Sequence, residues 1–441
     1  MTGPRRYRLD ATVQRFGTVV IGGSPLKLFR LTEAGAALVE QIAAGAAVPD
    51  SALVTTLLAA GAVHPVVEPA AARPGRATAT DVTIVVPTFG PPGHVPAGAI
   101  LVDDGSTPPV PGARVRFDRN RGPAAARNAG LADVDTDFVA FVDADVELAD
   151  GWLDPLLAHF DDERVALVAP RVRAAPPPSG SPAGPWFAGY ELANGPLDLG
   201  PEPARVLAGT RVSYVPAATI VCRTAAVRSV GGFDETLRFG EDVDLVWRLA
   251  AAGWVCRYEP AGEVRHAMRA DLAAWVRQRI GYGSSAAALA RRHPGALAPL
   301  RMSGWSLGAW TLGALGRPLL GTAVGVGSAA ALVRKLPDVP PRAALRLAGL
   351  GNLRAGEGIA AAIRRAWWPL LAVAAWRSRA ARRLLLAAAV SARHPLRVAD
   401  DVAYSVGVWR GMWAERTIAP LVPEITSWPG RSAVTVAAPR S

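Results

Sequence analysis

The chain has 441 residues, half of them apolar, and a formal charge of +11; this is too long for one ordinary domain and apolar enough for two or three cores. The basic balance suits nucleic acid, anionic lipid or a phosphorylated substrate equally, so only the distribution of charge can choose among them. Only Cys222 and Cys256 occur, without CxxC spacing, and no basic-then-apolar leader opens the chain, so a reduced, cytoplasmic protein with no disulfide framework is expected.

Residues 1–68 read as a small α+β module. "RYRLD" and "TVVIGGSPLKLFRL" are strand-like, and "TEAGAALVEQIAAG" predicts a helix from the N-cap Thr32 to Gly45. A second helix follows Pro49 over "DSALVTTLLAAG", with Asp50 as its cap. Residues 69–80 lack apolar periodicity and read as a linker. The prolines and glycines elsewhere, set among abundant Ala and Arg, reflect a GC-rich coding background and not disorder. Next, "VTIVVP", "GAILVDDGS" and "FVAFVDAD" are short apolar runs that end in polar residues. Such runs are parallel strands with ligands at their carboxyl ends. An α/β domain over 81–295 follows, its later part helical and acidic through "GGFDETLRFGEDVDLVWRLAAAG". From 296 to 441 a helical region is expected, apolar and Arg-rich, in which no uninterrupted apolar stretch reaches the roughly 20 residues of a transmembrane helix.

Asp143 and Asp145 sit where a strand gives way to a turn, spaced so that both carboxylates can reach one hard cation and the phosphate oxygens it binds. A bare DxD more often only ends a strand, so its context matters. Upstream, Asp103 and Asp104 end another strand in "LVDDGST", and "NRGPAAARNAG" supplies a glycine turn, Arg127 and Asn128. Downstream, Glu241, Asp242 and Asp244 open an amphipathic helix, where the positive end of the helix dipole favours an ionised carboxylate and so a general base.

This ordered set resembles glycosyltransferase family 2, whose GT-A nucleotide-sugar domain carries PTFN-like, DDGS, NxGxxxARNxG, DxD and ED motifs in the same order. The resemblance implies that Pro87 and Thr88 lie beside the nucleobase and Asp104 near the uracil edge. Arg127, Asp143 and Asp145 would serve the nucleotide sugar, the two aspartates holding Mg²⁺ or Mn²⁺ and the diphosphate. Asp242 matches the base that deprotonates an acceptor hydroxyl while the sugar transfers with inversion. Glu241 and Trp186 would face the acceptor, Trp186 competing with the plainer role of a packing anchor, as does Tyr190. His266 is a candidate third metal ligand, although a loop histidine is the commoner reading. Arg277 and Arg279 either clamp diphosphate or line a solvated helix face. The sequence departs from the family where only "PPGHVPAG" separates the first two strands instead of a full helix, and where Gly90 replaces the usual asparagine; the base-binding side is the part this affects.

The flanks narrow the resemblance. The opening "RYRLD…VVIGGSPLKLFRLTEAGAALV" and closing "DDVAYSVGVWRGMWAERTIAPLVP" are similar to the mycofactocin system glycosyltransferases. That family implies transfer of glucose from UDP-glucose to the peptide-derived cofactor premycofactocin, building a β-linked oligoglucose, and its N-terminal module is similar to PqqD-like domains that recognise precursor peptides. A winged-helix-like module that merely packs on the catalytic domain is the alternative. A membrane-associated transferase acting on a lipid carrier or envelope polysaccharide would share the motifs, but a processive QxxRW box is replaced here by "QRIGYG". Nucleic acid is not an expected partner, because the eight arginines between Gly358 and Ala399 lie among tryptophans and leucines with no acidic residue. That pattern suits an anionic membrane surface at the inner face of the cell membrane.

Overall fold

A computed structural model of the chain describes residues 4–67, 77–176, 184–268 and 271–427, and the chain divides into two compact units, Met1–Trp275 and Val276–Ser441. Most of the expected linker, residues 69–76, lies outside the described residues, as do 428–441 of the tail.

The first unit opens with β1 (Arg5–Leu9), β2 (Gln14–Phe16), β3 (Val19–Gly22), β4 (Lys27–Arg30), α1 (Glu33–Ala43), β5 (Ala47–Val48), α2 (Ala52–Ala59) and β6 (Val63–Pro65). They form two three-stranded sheets, β5-β1-β6 and β2-β3-β4, around a core that includes Tyr7, Val20, Val39, Ile42 and Leu57. Thr32 caps α1 as expected, its hydroxyl accepting the Gly35 N–H at 3.2 Å. The cap of α2 is Ser51, which accepts the Val54 N–H at 3.2 Å, and not Asp50. The Asp50 carboxylate is instead taken by the Tyr7 hydroxyl at 3.0 Å, a bond to a residue 43 positions away that local spacing could not reveal.

The chain continues through β7 (Val82–Thr88), β8 (Ile100–Asp103), β9 (Val115–Arg116), α3 (Pro123–Ala132), β10 (Phe138–Val142), β11 (Val146–Leu148), α4 (Asp154–Leu157), β12 (Val165–Ala175), α5 (Gly184–Asn194), β13 (Ala204–Val206), β14 (Thr219–Arg223), α6 (Thr224–Ser229), α7 (Glu241–Ala251) and β15 (Val255–Ala267). Nine strands make one mixed sheet, ordered β11-β15-β12-β14-β10-β7-β8-β9 with β13 on β15. β10, β7, β8 and β9 run parallel. All residues of β8 and β10 are buried, which is why these runs lack polar alternation. Parallel direction brings their carboxyl ends to one edge, with Thr88, Asp103 and the residues just past Val142. The β7–β8 crossover carries no helix between residues 89 and 99, as its length implies.

α8 (Leu272–Arg292) runs across the division between units. The second unit holds β16 (Arg301–Ser303), α9 (Gly304–Ala314), α10 (Pro318–Lys335), α11 (Pro341–Ala362), α12 (Trp368–Ala375), α13 (Arg379–Ser391), α14 (Pro395–Glu415) and β17 (Glu424–Ser427), with a π-helical turn at Ile363–Trp367. α8 meets α14 at backbone distance. A Cβ on Gly283 would strike the Tyr404 carbonyl, and one on Gly407 the Ile280 carbonyl, so only glycine permits this contact. Asp401, 3% exposed, gathers Arg364 at 2.7 Å, Arg397 at 3.8 Å and Arg365 at 3.9 Å. Among the described residues no helix is long and apolar enough to cross a membrane.

Candidate active site

Two adjacent aspartates at the end of β8 do different work. Asp103 is fully buried and accepts the N–H groups of Ser106 at 2.8 Å and Val110 at 3.1 Å and the Arg116 Nε at 3.2 Å. Burial alone would raise its pKa, but these bonds and the Arg116 charge outweigh that and lower it. Asp103 therefore shapes the loop. Asp104 donates its N–H to the Thr88 carbonyl at 2.8 Å and accepts from the Arg121 and Gly122 N–H groups at 2.6 and 2.9 Å, fastening the turn that enters α3. Thr88 donates its hydroxyl to the Gly90 carbonyl and Gly90 donates its N–H to the Ser106 hydroxyl, each at 2.8 Å. The strand end at Pro87 and Thr88 is thus tied to the DDGS loop. Gly105 has a φ of +78°, and a Cβ there would meet the backbone of Arg119, so the loop requires glycine.

α3 carries Arg127 into the middle of the site. Its guanidinium, 4% exposed, donates to Asp143 at 2.7 Å, Glu241 at 2.8 Å and the Ala217 carbonyl at 3.4 Å. Burial would lower its pKa, but the carboxylates of Asp143 and Glu241 raise it instead, so the cation is permanent. Asn128 clamps the next loop, accepting the Phe233 N–H and donating to the Phe233 carbonyl, both at 2.8 Å.

Asp145 lies past Asp143 on the turn into β11, and β15 pairs with β11 so that Val146 stands opposite His266. The His266 Nε2 is 3.2 Å from the Asp145 carboxylate, and the two side chains are 12% and 38% exposed. Ligand atoms of Asp143, Asp145 and His266 all lie within 4.8 Å of one another. Two carboxylate oxygens and one imidazole are a donor set that fits Mn²⁺, and Mg²⁺ through its oxygens.

α7 starts after Gly240, in the left-handed conformation at φ 80°, and its first turn holds three acids with different fates. Asp244 is fully buried and bonded to Arg248 at 2.7 Å. Glu241 is buried against Arg127, and burial, reinforced by the neighbouring Asp242 charge, pushes its pKa up to about 7. Asp242 accepts the Val243 N–H at 2.8 Å and the Ala217 N–H at 3.2 Å. Burial raises its pKa too, with the negative charge of Asp143 acting in the same direction. Asp143, Glu241 and Asp242 thus surround one arginine.

The remaining candidates differ in exposure and partners. Trp186, on the first turn of α5, is 60% exposed, whereas Tyr190 is buried with its ring 6.3 Å from that of Trp275. Arg279 is buried and bonded to Asp400 at 2.8 Å, which makes it a packing ion pair of the second unit, and Arg277 is exposed. Ala217 is the site residue that sequence reasoning could not find: its N–H meets Asp242 and its carbonyl meets Arg127, and backbone groups leave no residue-type signal.

The profile of Glycosyl transferase family 2 matches residues 99–193. The chain is 40% identical to the Pre-mycofactocin glycosyltransferase of Mycobacterium tuberculosis over 463 aligned residues, covering 93% of this chain and 95% of that relative. It is 28% identical to the N-acetylglucosaminyl-diphospho-decaprenol L-rhamnosyltransferase of the same organism, over 39% of this chain and 66% of that one. Among solved structures, a mannosyltransferase from Pyrobaculum calidifontis in complex with GDP-Man and Mn²⁺ shows 16% identity and a TM-score of 0.41, covering 76% of this chain and 87% of the other. With its mixed sheet flanked by helices in a GT-A-like arrangement and its end-to-end likeness to that mycobacterial enzyme, the chain belongs to the pre-mycofactocin glycosyltransferases of family 2.

Proposed function

We propose that the chain is an inverting, metal-dependent hexosyltransferase that moves glucose from UDP-glucose to premycofactocin and extends a β-linked oligoglucose. The observation that carries this reading is the 40% identity along 93% of the chain to a relative named for that acceptor. The geometry supports the chemistry. Pro87, Thr88 and Asp104 take the base side, and Arg127 with the DxD pair takes the diphosphate side. Asp143, Asp145 and His266 would hold Mg²⁺ or Mn²⁺, whose charge would offset that developing on the leaving diphosphate. Asp242 accepts the proton of the acceptor hydroxyl. Its raised pKa makes it a better proton acceptor than an ordinary carboxylate, and the Ala217 and Val243 N–H groups hold it in orientation. Glu241 orients Arg127 from the acceptor side, and Trp186 offers an exposed aromatic face to an acceptor.

Mass spectrometry of reactions offering the purified protein several nucleotide sugars and, in parallel, a premycofactocin or a polyprenyl diphosphate sugar acceptor tests the assignment. Added masses of one or more hexoses from UDP-glucose alone are expected. Transfer only to a polyprenyl diphosphate sugar would assign the chain to lipid-carrier chemistry instead.

We further propose that the second unit binds an anionic membrane surface peripherally. Supporting this, Trp376, Leu319 and Val373 are 87%, 85% and 79% exposed, while Arg377, Arg379, Arg382, Arg383 and Arg393 face solvent. Three of the eight arginines converge on the single carboxylate of Asp401, which offsets one of their charges, and the lipid-facing charge proposed here is that of the five in solvent. Basic residues near such a surface contribute about 1 kcal/mol each. Arg382→Gln with Arg383→Gln should therefore weaken binding to phosphatidylserine vesicles about thirtyfold by sedimentation, and high salt should release part of the parent protein. A fraction that resists both salt and carbonate and yields only to detergent would replace this reading with two tilted hairpins built from residues 305–333 and 367–392.

A further inference from the structure

The loop that carries Ala217 has a second attachment that the reaction does not explain. Residues 207–218 connect β13 to β14, and Val212, Val215, Ala217 and Ala218 in it are buried. At one end the loop serves the site: Ala217 contacts Asp242 and Arg127, and the Ala218 carbonyl accepts the Asp143 N–H at 2.8 Å. Its middle is tied to α7, because Trp247 donates its indole N–H to the Ser213 carbonyl at 2.8 Å. Two residues before Ser213, Arg211 reaches the N-terminal module. Its backbone N–H donates to the Ser24 hydroxyl at 2.6 Å, and its guanidinium lies 3.6 Å from the Asp10 carboxylate while also donating to the carbonyls of Glu202 and Pro203 at 3.3 and 2.6 Å. Asp10 is itself a fixed point. It is buried, accepts from Thr12 at 2.9 and 2.5 Å, and pairs with His64 at 2.8 Å. Burial would raise its pKa, but the bonds from His64 and Thr12 lower it to about 2, so it stays ionised opposite Arg211.

We infer that Arg211 is a positioning residue that latches loop 207–218 onto the N-terminal module, so that the module sets the alignment of Asp242 and Arg127 from a distance. The module is then part of the catalytic frame. A loop of twelve residues anchored at Arg211, Ser213 and Ala217 and with Val212 and Val215 buried has little freedom, and releasing one anchor relaxes the others. Misplacing a catalytic group by about 1 Å can cost about a hundredfold in rate. The base side of the UDP-sugar, assigned above to Pro87, Thr88 and Asp104, stands on other loops, whereas the diphosphate side touches this loop at Arg127 and Asp143, so UDP affinity depends on the latch less than kcat does. The inference rests on Asp242 being the base, as proposed above.

The test uses the full chain with Arg211→Ala and, separately, Ser24→Ala, which removes only the hydroxyl that accepts the Arg211 N–H. Three readouts are needed: hydrogen–deuterium exchange over 207–218, UDP affinity by calorimetry, and kcat for glucose transfer. Arg211→Ala should speed exchange in this loop and lower kcat about tenfold to a hundredfold while UDP affinity falls by a clearly smaller factor, with Ser24→Ala intermediate. Parent-like exchange with parent-like kcat overturns the latch. So does an equal loss of kcat and UDP-binding capacity, which would mark general unfolding. Asp242→Asn run alongside separates the two ideas: if that variant turns over normally, the base assignment fails, while the exchange result still decides whether Arg211 holds the loop.

Discussion

Asp242→Asn should abolish sugar transfer while leaving UDP binding close to that of the parent protein. Loss of a positioned general base typically costs about a hundredfold to ten-thousandfold, or about 3–5 kcal/mol of barrier. Asparagine keeps the shape, and its one carbonyl oxygen can still accept the Ala217 N–H while giving up the Val243 N–H, so the loop should hold. Calorimetry with UDP beside a glucose-transfer assay measures both halves, and near-normal turnover would remove Asp242 from this role. The pH dependence carries an independent signature. The base works only when ionised, so activity should be full above its pKa and fall as pH drops through it. Because burial raises that pKa, the acid limb of kcat should lie above the ordinary carboxylate range of about 4. A limb at or below that range would mean that another group controls the reaction.

Asp145→Ala should lose metal-dependent UDP-glucose binding, and EDTA should do the same to the parent protein. Asp145 is the better residue to remove, because Asp143 is an ion partner of the buried Arg127, and deleting it would leave a buried charge short of one counter-ion. Asp145 instead is 38% exposed and faces His266, so its loss removes a ligand oxygen with little effect on folding. A hard cation tolerates few substitutes for a carboxylate. Calorimetry of UDP-glucose with and without Mn²⁺ should show the metal-dependent affinity gone in the variant, with the melting temperature within a few degrees of the parent. If activity survives both the substitution and the chelator, the pair of aspartates only ends a strand.

Much of the catalytic fold was legible in the residues because it rests on local signals. The apolar runs ending in Thr88, Asp103 and Asp143 became parallel strands of one sheet with their polar ends together, and the short stretch after Thr88 left no room for a helix. Thr32 began its helix where a hydroxyl beside an amphipathic run should, whereas the neighbouring cap slipped from Asp50 to Ser51 because Tyr7 claimed the aspartate. Tertiary structure alone decided which charges remain available. Asp103 and Asp244 share the local settings of Asp145 and Asp242, a strand end and the first turn of a helix, but are bonded to Arg116 and Arg248. Glu241, an acceptor contact by family resemblance, is bonded to an arginine 114 residues away. Likewise Arg364, Arg365 and Arg397 belong to one run of basic residues in the sequence, yet they converge on a buried Asp401 while Arg382 and Arg383 stay in solvent. A side chain's type and local spacing determine what it is able to do. Whether it is free to do it depends on partners that distant segments deliver, because a buried carboxylate or guanidinium is stable only where a counter-charge or hydrogen-bond donor reaches it.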